Sequence, residues 1–255
     1  MPILAYILIF NFLGSIVSLV GGVLLFVNEK ATLKYSHLLA SFAAGSLLSA
    51  AFFDLLPEAS REGEGQGTDI FLWTLLGFLF FFLLERFIHW FHHHGHEDVT
   101  RDAKPIVPLI VLGDSIHNFI DGVAIASTFI VSIPLGIVTT FAVAAHEIPQ
   151  EIGDFGLLLH KKVSRQNVFL INFASALVSV AGAMLAYFIG GEIKGLVPIF
   201  LALTAGFFIY IAAADLIPEI HHENRRGFAL YESLLLLAGA FVIWLTISLL
   251  SGCSV

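Results

Sequence analysis

The chain has 255 residues, of which 58% are hydrophobic and only 13% are charged. Soluble globular domains are about 45–50% apolar and about 25% charged, so this composition excludes a soluble globular protein and indicates an integral membrane protein. The net charge is −8 and the sequence has no basic patch, so we expect no nucleic-acid partner. The single cysteine, Cys253, cannot form an internal disulfide.

Apolar runs of about 20 residues, the length that crosses a bilayer, recur along the chain and predict eight transmembrane helices. The first run, from Pro2 to Val27, has no basic residue before it, so we predict a spanning helix rather than a cleaved signal peptide. The connections are short, so residues 1–255 are predicted to form a single transmembrane domain. The predicted spans are 3–27, 36–57, 70–93, 105–131, 135–159, 168–190, 196–219 and 229–250.

The lysines and arginines of the predicted loops are distributed unevenly between the two sides of the membrane. The ends of spans one, three, five and seven and the loops after them hold ten of these residues, and the alternate loops hold only Arg61 and Lys194. Basic residues mark the cytoplasmic side, so both termini are predicted to lie outside a plasma or inner membrane. The ten residues are Lys30, Lys34, Arg86, Arg101, Lys104, Lys161, Lys162, Arg165, Arg225 and Arg226.

A short motif occurs twice. Span two ends in Asp54-Leu-Leu-Pro-Glu58, and span seven ends in Asp215-Leu-Ile-Pro-Glu219. The predicted orientation places the two copies at opposite faces, which predicts an inverted repeat of helices 1–3 and 6–8 around a central helix 4/5 pair. Such repeats are typical of transporters, because one block rocks against the other around a site at the midplane. The alternative is a helix-ending signal that recurs by chance.

Spans four and five carry ionisable residues near their middles, in GDSIHNFIDG (113–122) and HEIPQEIGDF (146–155). Each such residue costs roughly 2.5–3.5 kcal/mol at membrane depth and persists only where partners, water or a cation offset the cost. His117 and Asp121 are four residues apart, as are His146 and Gln150, so each pair lies on one helix face. Imidazole and oxygen groups together suit a divalent metal. The candidate ligands are His117, Asn118, Asp121, His146, Glu147 and Gln150.

Further polar residues near these spans are predicted to orient the ligands or to line the path of the ion. They are Asp54, Asp114, Glu151, Asp154, Asp215, Glu219, His221 and His222. A separate histidine cluster follows span three and either binds metal weakly or is an interfacial segment that tolerates histidine. Its members are His89, His92, His93, His94 and His96.

The two motifs together resemble the ZIP (Zrt/Irt-like) family of metal transporters, and in particular the subfamily whose fifth helix reads His-Glu-x-Pro-His-Glu-x-Gly-Asp. The resemblance covers essentially the whole chain. It implies uptake of a divalent cation toward the cytoplasm, typically zinc, with iron, manganese or cadmium as alternatives, and no further cofactor. It also implies two adjacent metal positions formed by the six candidate ligands. It leaves a homodimer open, and in some members span six adds a ligand, for which Asn172 and Ser175 are the candidates here.

Gln150 departs from the family pattern, which has His or Glu at this position. An amide is neutral and a weaker zinc ligand, which favours a single strong site or a preference for harder ions. Gln150 also argues against an enzyme, because an intramembrane zinc protease needs the second histidine of His-Glu-x-x-His. A channel-like pathway and a sensor that does not transport remain as alternatives to a carrier.

Overall fold

The computed structural model describes residues 2–93, 106–192, 196–221 and 228–251, and all regular secondary structure in these ranges is helical. We label the helices in chain order, with α6 interrupted at Leu177 and α7 containing a π-helical segment, Ile211–Leu216. They are α1 (Ile3–Val27), α2 (Glu29–Gly63), α3 (Ile70–His93), α4 (Ile106–Val131), α5 (Ile133–His160), α6 (Arg165–Ala176 and Val178–Glu192), α7 (Val197–Tyr210 and Ile217–His221) and α8 (Phe228–Ser251).

The prediction of an all-α membrane protein is confirmed. In the described ranges, 6 helices are long and apolar enough to cross a bilayer, namely α1, α2, α3, α6, α7 and α8. Helices α4 and α5 are also long, but their histidines and acids lower the hydropathy of the sequence. The count of eight crossings and the orientation of the termini remain predictions.

Two of the connections between helices are a single residue long. Asn28 joins α1 to α2, and its side-chain oxygen accepts a hydrogen bond from the Ala31 amide at 3.1 Å. Ser132 joins α4 to α5 in the same way, and its hydroxyl accepts from the Leu135 amide at 3.3 Å. These side chains satisfy amides that a helix start leaves without a partner. A link this short forces α4 and α5 to pack side by side in opposite directions.

The two polar motifs lie at equal distances from the Ser132 turn. His117 precedes Ser132 by 15 residues, and Glu147 follows it by 15. At about 1.5 Å per helical residue, both residues lie about 22 Å from the turn, deep in the bundle. The equal arms of this hairpin explain how two segments far apart in sequence reach the same depth.

Glycines set the close packing of several helix pairs. In α2 and α8, a Cβ on Gly45 would overlap the carbonyl of Leu236, and a Cβ on Gly239 would overlap that of Phe42. Small residues allow membrane helices to approach this closely. The same reciprocal arrangement joins α3 to α7 through Gly77 and Gly206, and α4 to α6 through Gly122 and Gly182. In the α1/α5 pair, Gly21 approaches the carbonyl of Ile148.

The repeated Asp-x-x-Pro-Glu motifs have the same local structure. Ala51–Leu55 and Ile211–Leu216 are both π-helical, and each is followed closely by a proline of the motif, Pro57 or Pro218. The amide of Leu56 donates to Ala51, and that of Ile217 donates to Ala212, in each case five residues back. Proline crowds the carbonyl four residues before it, and a wider turn relieves this contact.

Candidate metal centre

Four buried side chains from α4 and α5 converge deep in the bundle; we call them the central cluster. They are His117, Asp121, His146 and Glu147, and one potential ligand atom from each lies within 4.8 Å of the others. The two Nε2 atoms of the histidines are 3.1 Å apart. His117 Nε2 lies 3.6 Å from Asp121 Oδ2 and 3.4 Å from Glu147 Oε1. His146 Nε2 lies 3.3 Å and 3.8 Å from the same two oxygens.

These separations match the size of a tetrahedral metal site. Zinc bonds to nitrogen and oxygen are about 2.0–2.2 Å long, so neighbouring ligands of one ion are about 3.3–3.5 Å apart. The five separations in the central cluster run from 3.1 to 3.8 Å. One ion could therefore contact all four atoms after shifts of a few tenths of an ångström.

His146 is held with one ring nitrogen aimed at the cluster. Its Nδ1 lies 3.2 Å from the carbonyl oxygen of Ala142. A carbonyl only accepts, so Nδ1 carries the proton, and the neutral ring has its lone pair on Nε2. The side chain has no solvent exposure, and the ring of Phe208 packs against it at a centroid distance of 6.1 Å. Phe81 packs edge-on against His117 at 5.4 Å.

Both acids of the cluster have a buried oxygen that receives no hydrogen bond. These atoms are Asp121 Oδ2 and Glu147 Oε1, the same oxygens that face the imidazoles. A buried acceptor without a donor costs about 1–3 kcal/mol, and a charged one costs more. A bound cation would offset this cost. The donor set of two nitrogens and two oxygens fits a divalent ion such as zinc.

The other two candidate ligands, Asn118 and Gln150, lie beside the cluster in different settings. Asn118 is buried, and its amide nitrogen donates to Asp114 Oδ1 at 2.9 Å and to the Asp114 carbonyl at 3.2 Å. Gln150 is half-buried and lines a cavity next to His146. Glu151 points to another face of α5 and is buried, with neither carboxylate oxygen hydrogen-bonded.

Two cavities approach the bundle from opposite ends of α5. The larger, about 410 Å³, reaches His117 and His146 and is also lined by Gln150, Asp154 and Asp215; we call it the Gln150 cavity. The smaller, about 320 Å³, is lined by Asp54 and Glu58, among others, and contacts no residue of the central cluster; we call it the Asp54 cavity. Of these two cavities, only the Gln150 cavity reaches the central cluster.

Comparison with known proteins gives the family. Residues 3–108 and 93–246 match the sequence profile described as ZIP Zinc transporter. The chain belongs to the ZIP family. The zinc transporter ZIP13 of Mus musculus is 32% identical over 245 residues, which cover 80% of this chain and 68% of that protein. The zinc transporter ZIP4 of Mus musculus is 30% identical over 304 residues, covering 91% of this chain and 46% of that protein.

The matched region is only part of these ZIP relatives. This chain spans about two thirds of ZIP13, less than half of ZIP4, and 14% of the zinc transporter ZIP10 of Danio rerio, which is 37% identical over 118 residues. The family is one of transporters, in agreement with the prediction that the chain is not an enzyme.

Several predicted residues of this ZIP chain fall at or beyond the limits of the described structure. Glu219 and His221 lie in the last segment of α7, and His89, His92 and His93 lie at the end of α3, but the side chains of these residues are not described. His222, His94 and His96 lie outside the described residues. Asn172 and Ser175, the candidates from α6, are buried.

Sequence reasoning missed one polar pair at the Gln150 cavity. Glu85 of α3 lines this cavity, and its carboxylate accepts a hydrogen bond from the Tyr210 hydroxyl of α7. Glu85 is the only acid of α3, within a run of phenylalanines and leucines. An acid within this apolar span was the available signal, because an acid at such a position is costly without a partner.

Proposed function

We propose that this ZIP family member carries a divalent metal cation, with zinc the first candidate, across the membrane into the cytoplasm. The proposed ligands are His117, Asp121, His146 and Glu147. One observation carries the proposal: these four buried side chains converge, at separations that suit a single ion, in a bundle of apolar helices. Asn118 Oδ1 and the Gln150 amide would complete the predicted ligand set when they turn toward the ion.

The proposed architecture has eight spans, 1–255 as one transporter domain, and an inverted repeat of α1–α3 and α6–α8 around α4 and α5. The packing of the helices supports it. The proposed inversion exchanges α1 with α6, α2 with α7, α3 with α8 and α4 with α5. This exchange turns the α2/α8 pair into the α7/α3 pair. It also turns the α4/α6 pair into α5/α1, and each of these pairs packs through glycines. The shared π-helical motifs agree with the same inversion.

The two cavities suggest the direction of transport. The basic loops favour both termini outside, in which case the Asp54 cavity faces outward and the Gln150 cavity faces the cytoplasm. Asp54 would attract the ion, the central cluster would bind it, and Asp154 and Asp215 would receive it on the way out. A rocking motion that closes the Gln150 cavity and opens the other would complete the cycle.

The test is uptake of metal by cells or proteoliposomes that contain the full chain. Zinc, manganese, iron(II) and cadmium would each be offered, with an H117A/E147A double variant as control. We expect saturable uptake that the double variant lacks. Equal uptake by both proteins would overturn the proposal, and ohmic single-channel currents would replace the carrier by a channel.

Replacing Gln150 by histidine should tighten zinc binding. The residue already lines the cavity beside His146, and an imidazole there would add a stronger ligand than a neutral amide. We expect the apparent affinity for zinc to rise by about tenfold, roughly 1.4 kcal/mol, relative to that for manganese. Competition of the two ions in the uptake assay measures this. An unchanged ratio would mean that residue 150 does not contact the ion.

Uptake should weaken as the outside medium becomes acid. Metal ligands must be deprotonated to bind, so protons compete with the ion for two imidazoles and two carboxylates. We expect the apparent affinity for zinc to fall steadily between pH 7 and pH 5.5, as measured by the initial rate at subsaturating zinc. Faster uptake at acid pH would contradict this view and indicate that release assisted by protons limits the rate.

A further inference from the structure

Among the acids outside the central cluster that have a buried carboxylate oxygen without a hydrogen bond, two lie on α4 and α5. These atoms are Oδ2 of Asp114 and both oxygens of Glu151, and the two residues are 7% and 1% exposed. Acids inside a membrane bundle are retained only with partners, water or a bound cation. The Asn118 amide bonds to the other oxygen of Asp114, and in the described part of the chain neither acid forms an ion pair.

The two acids lie on the same side of the central cluster. Asp114 precedes His117 by three residues on α4, and Glu151 follows Glu147 by four residues on α5. Because the two helices run in opposite directions, both steps lead about one helical turn toward the same end of the bundle. Both carboxyl groups are therefore buried at the same level of the bundle.

Asp114 is held in a fixed orientation. The Asn118 amide donates to its Oδ1 at 2.9 Å, which leaves Oδ2 as the oxygen without a donor. The neighbouring Ser115 hydroxyl is tied to Ser175 of α6 at 3.1 Å, so α6 braces this part of α4. Acids held in place by hydrogen bonds from their neighbours are typical of metal sites.

Asp154 connects this pair of acids to the Gln150 cavity. It follows Glu151 by three residues on the same face of α5 and lines the cavity. An ion at Asp114 and Glu151 would therefore have a short route out of the bundle. The ligands available there are carboxylate oxygens, which suit harder divalent ions such as Mn²⁺, whereas the imidazoles of the central cluster favour zinc.

We propose that Asp114 and Glu151 form a second cation site, selective for ions that prefer oxygen ligands, between the central cluster and the Gln150 cavity. The inference rests on the proposed function, since it makes this site the next stop of the transported ion.

The test measures binding of Mn²⁺ to the purified full chain in lipid nanodiscs whose central site is saturated with zinc. Electron paramagnetic resonance counts the free Mn²⁺, and elemental analysis counts the zinc. We expect the wild-type protein to bind one Mn²⁺ in addition to zinc. In the D114N/E151Q double variant, Mn²⁺ should bind at least about tenfold more weakly while zinc is retained. The single variants, each with one carboxylate left, should lie between these limits.

A matched control is Glu232→Gln on α8. Glu232 is 4% exposed and has an oxygen without a hydrogen bond, so this variant makes the same chemical change on a helix other than α4 and α5. It should bind Mn²⁺ as the wild-type protein does. An H117A/H146A variant should lose zinc and keep Mn²⁺, which separates the two sites.

Three results would overturn the second site. They are no Mn²⁺ bound beyond zinc, unchanged Mn²⁺ binding in D114N/E151Q, and loss of Mn²⁺ together with zinc in H117A/H146A. Each leaves the proposed transport function standing. Retention of zinc by H117A/H146A would instead contradict the central site itself, so the two failures are distinguishable.

Discussion

His117→Ala is expected to reduce zinc uptake by at least about 100-fold while the protein still reaches the membrane. The Nε2 atom of His117 lies within 3.6 Å of the facing atoms of the other three cluster residues. Its loss removes one of the four proposed ligands. Asp121 and Glu147 would then face one imidazole fewer. Even partners that only orient metal ligands change affinity or activity by about 10–100-fold, so a ligand should matter more. Initial rates of zinc uptake, normalised to protein at the cell surface, measure the effect.

His160→Ala is the matched control for this variant. His160 lies at the exposed end of α5, outside the central cluster and both cavities. The same truncation there should leave uptake within about twofold of the wild-type rate, because surface substitutions usually have small effects. If His117→Ala and His160→Ala transport zinc equally well, His117 is not a ligand.

Gly122→Ala should destabilise the protein, although alanine is the better helix former. Replacing glycine by alanine inside a helix normally contributes roughly 0.5–1 kcal/mol of stability. At Gly122 the added methyl group would overlap the carbonyl oxygen of Ser179, a backbone atom that cannot rotate away. Overpacking of this kind costs about 1–3 kcal/mol or more, because α4 and α6 have to separate. The midpoint of thermal unfolding in detergent should fall by at least about 4 °C.

Gly153→Ala provides the opposite case. An added Cβ at Gly153 meets no heavy atom within 4 Å, so only the gain in helix propensity remains. Its unfolding midpoint should stay the same or rise. A comparison of the two variants therefore isolates the α4/α6 contact from the general effect of removing a helical glycine. A midpoint for Gly122→Ala equal to that of Gly153→Ala would mean that the two helices do not pack as closely as described.

The convergence of the polar motifs was predictable because it follows from local rules. Four-residue spacing puts His117 and Asp121 on one face of α4, and the short connection at Ser132 forces α4 and α5 together. The ends of α2 were less predictable: it spans Glu29–Gly63, whereas 36–57 was expected. The first turns of α2, capped by Asn28, are polar, so they were not recognised as part of an apolar run. At the other end, the π-helical turn lets the helix continue past Pro57.

Contacts that depend on the rotation of distant helices could not be read from the sequence. Tyr210 and Glu85 are 125 residues apart, and their hydrogen bond depends on how α3 and α7 turn their faces toward each other. Gly77 and Gly206 set that rotation through backbone contacts, which leave no signature beyond two common residues. The hydrogen bond between Asn118 and Asp114 was missed for a different reason. Their four-residue spacing allows this bond, but it equally allows both side chains to face a metal.

The equal lengths of the two arms of the Ser132 hairpin also restrict where insertions and deletions can occur as this protein evolves. One residue inserted between Ser132 and either motif would rotate that motif by about 100° and shift it by about 1.5 Å, carrying its ligands away from the opposing ones. A compensating insertion in the other arm would restore the depth but not the contacts of each helix with its outer neighbours. Changes of length should therefore accumulate in the loops that join other helices, while the separation of 29 positions between His117 and His146 stays constant.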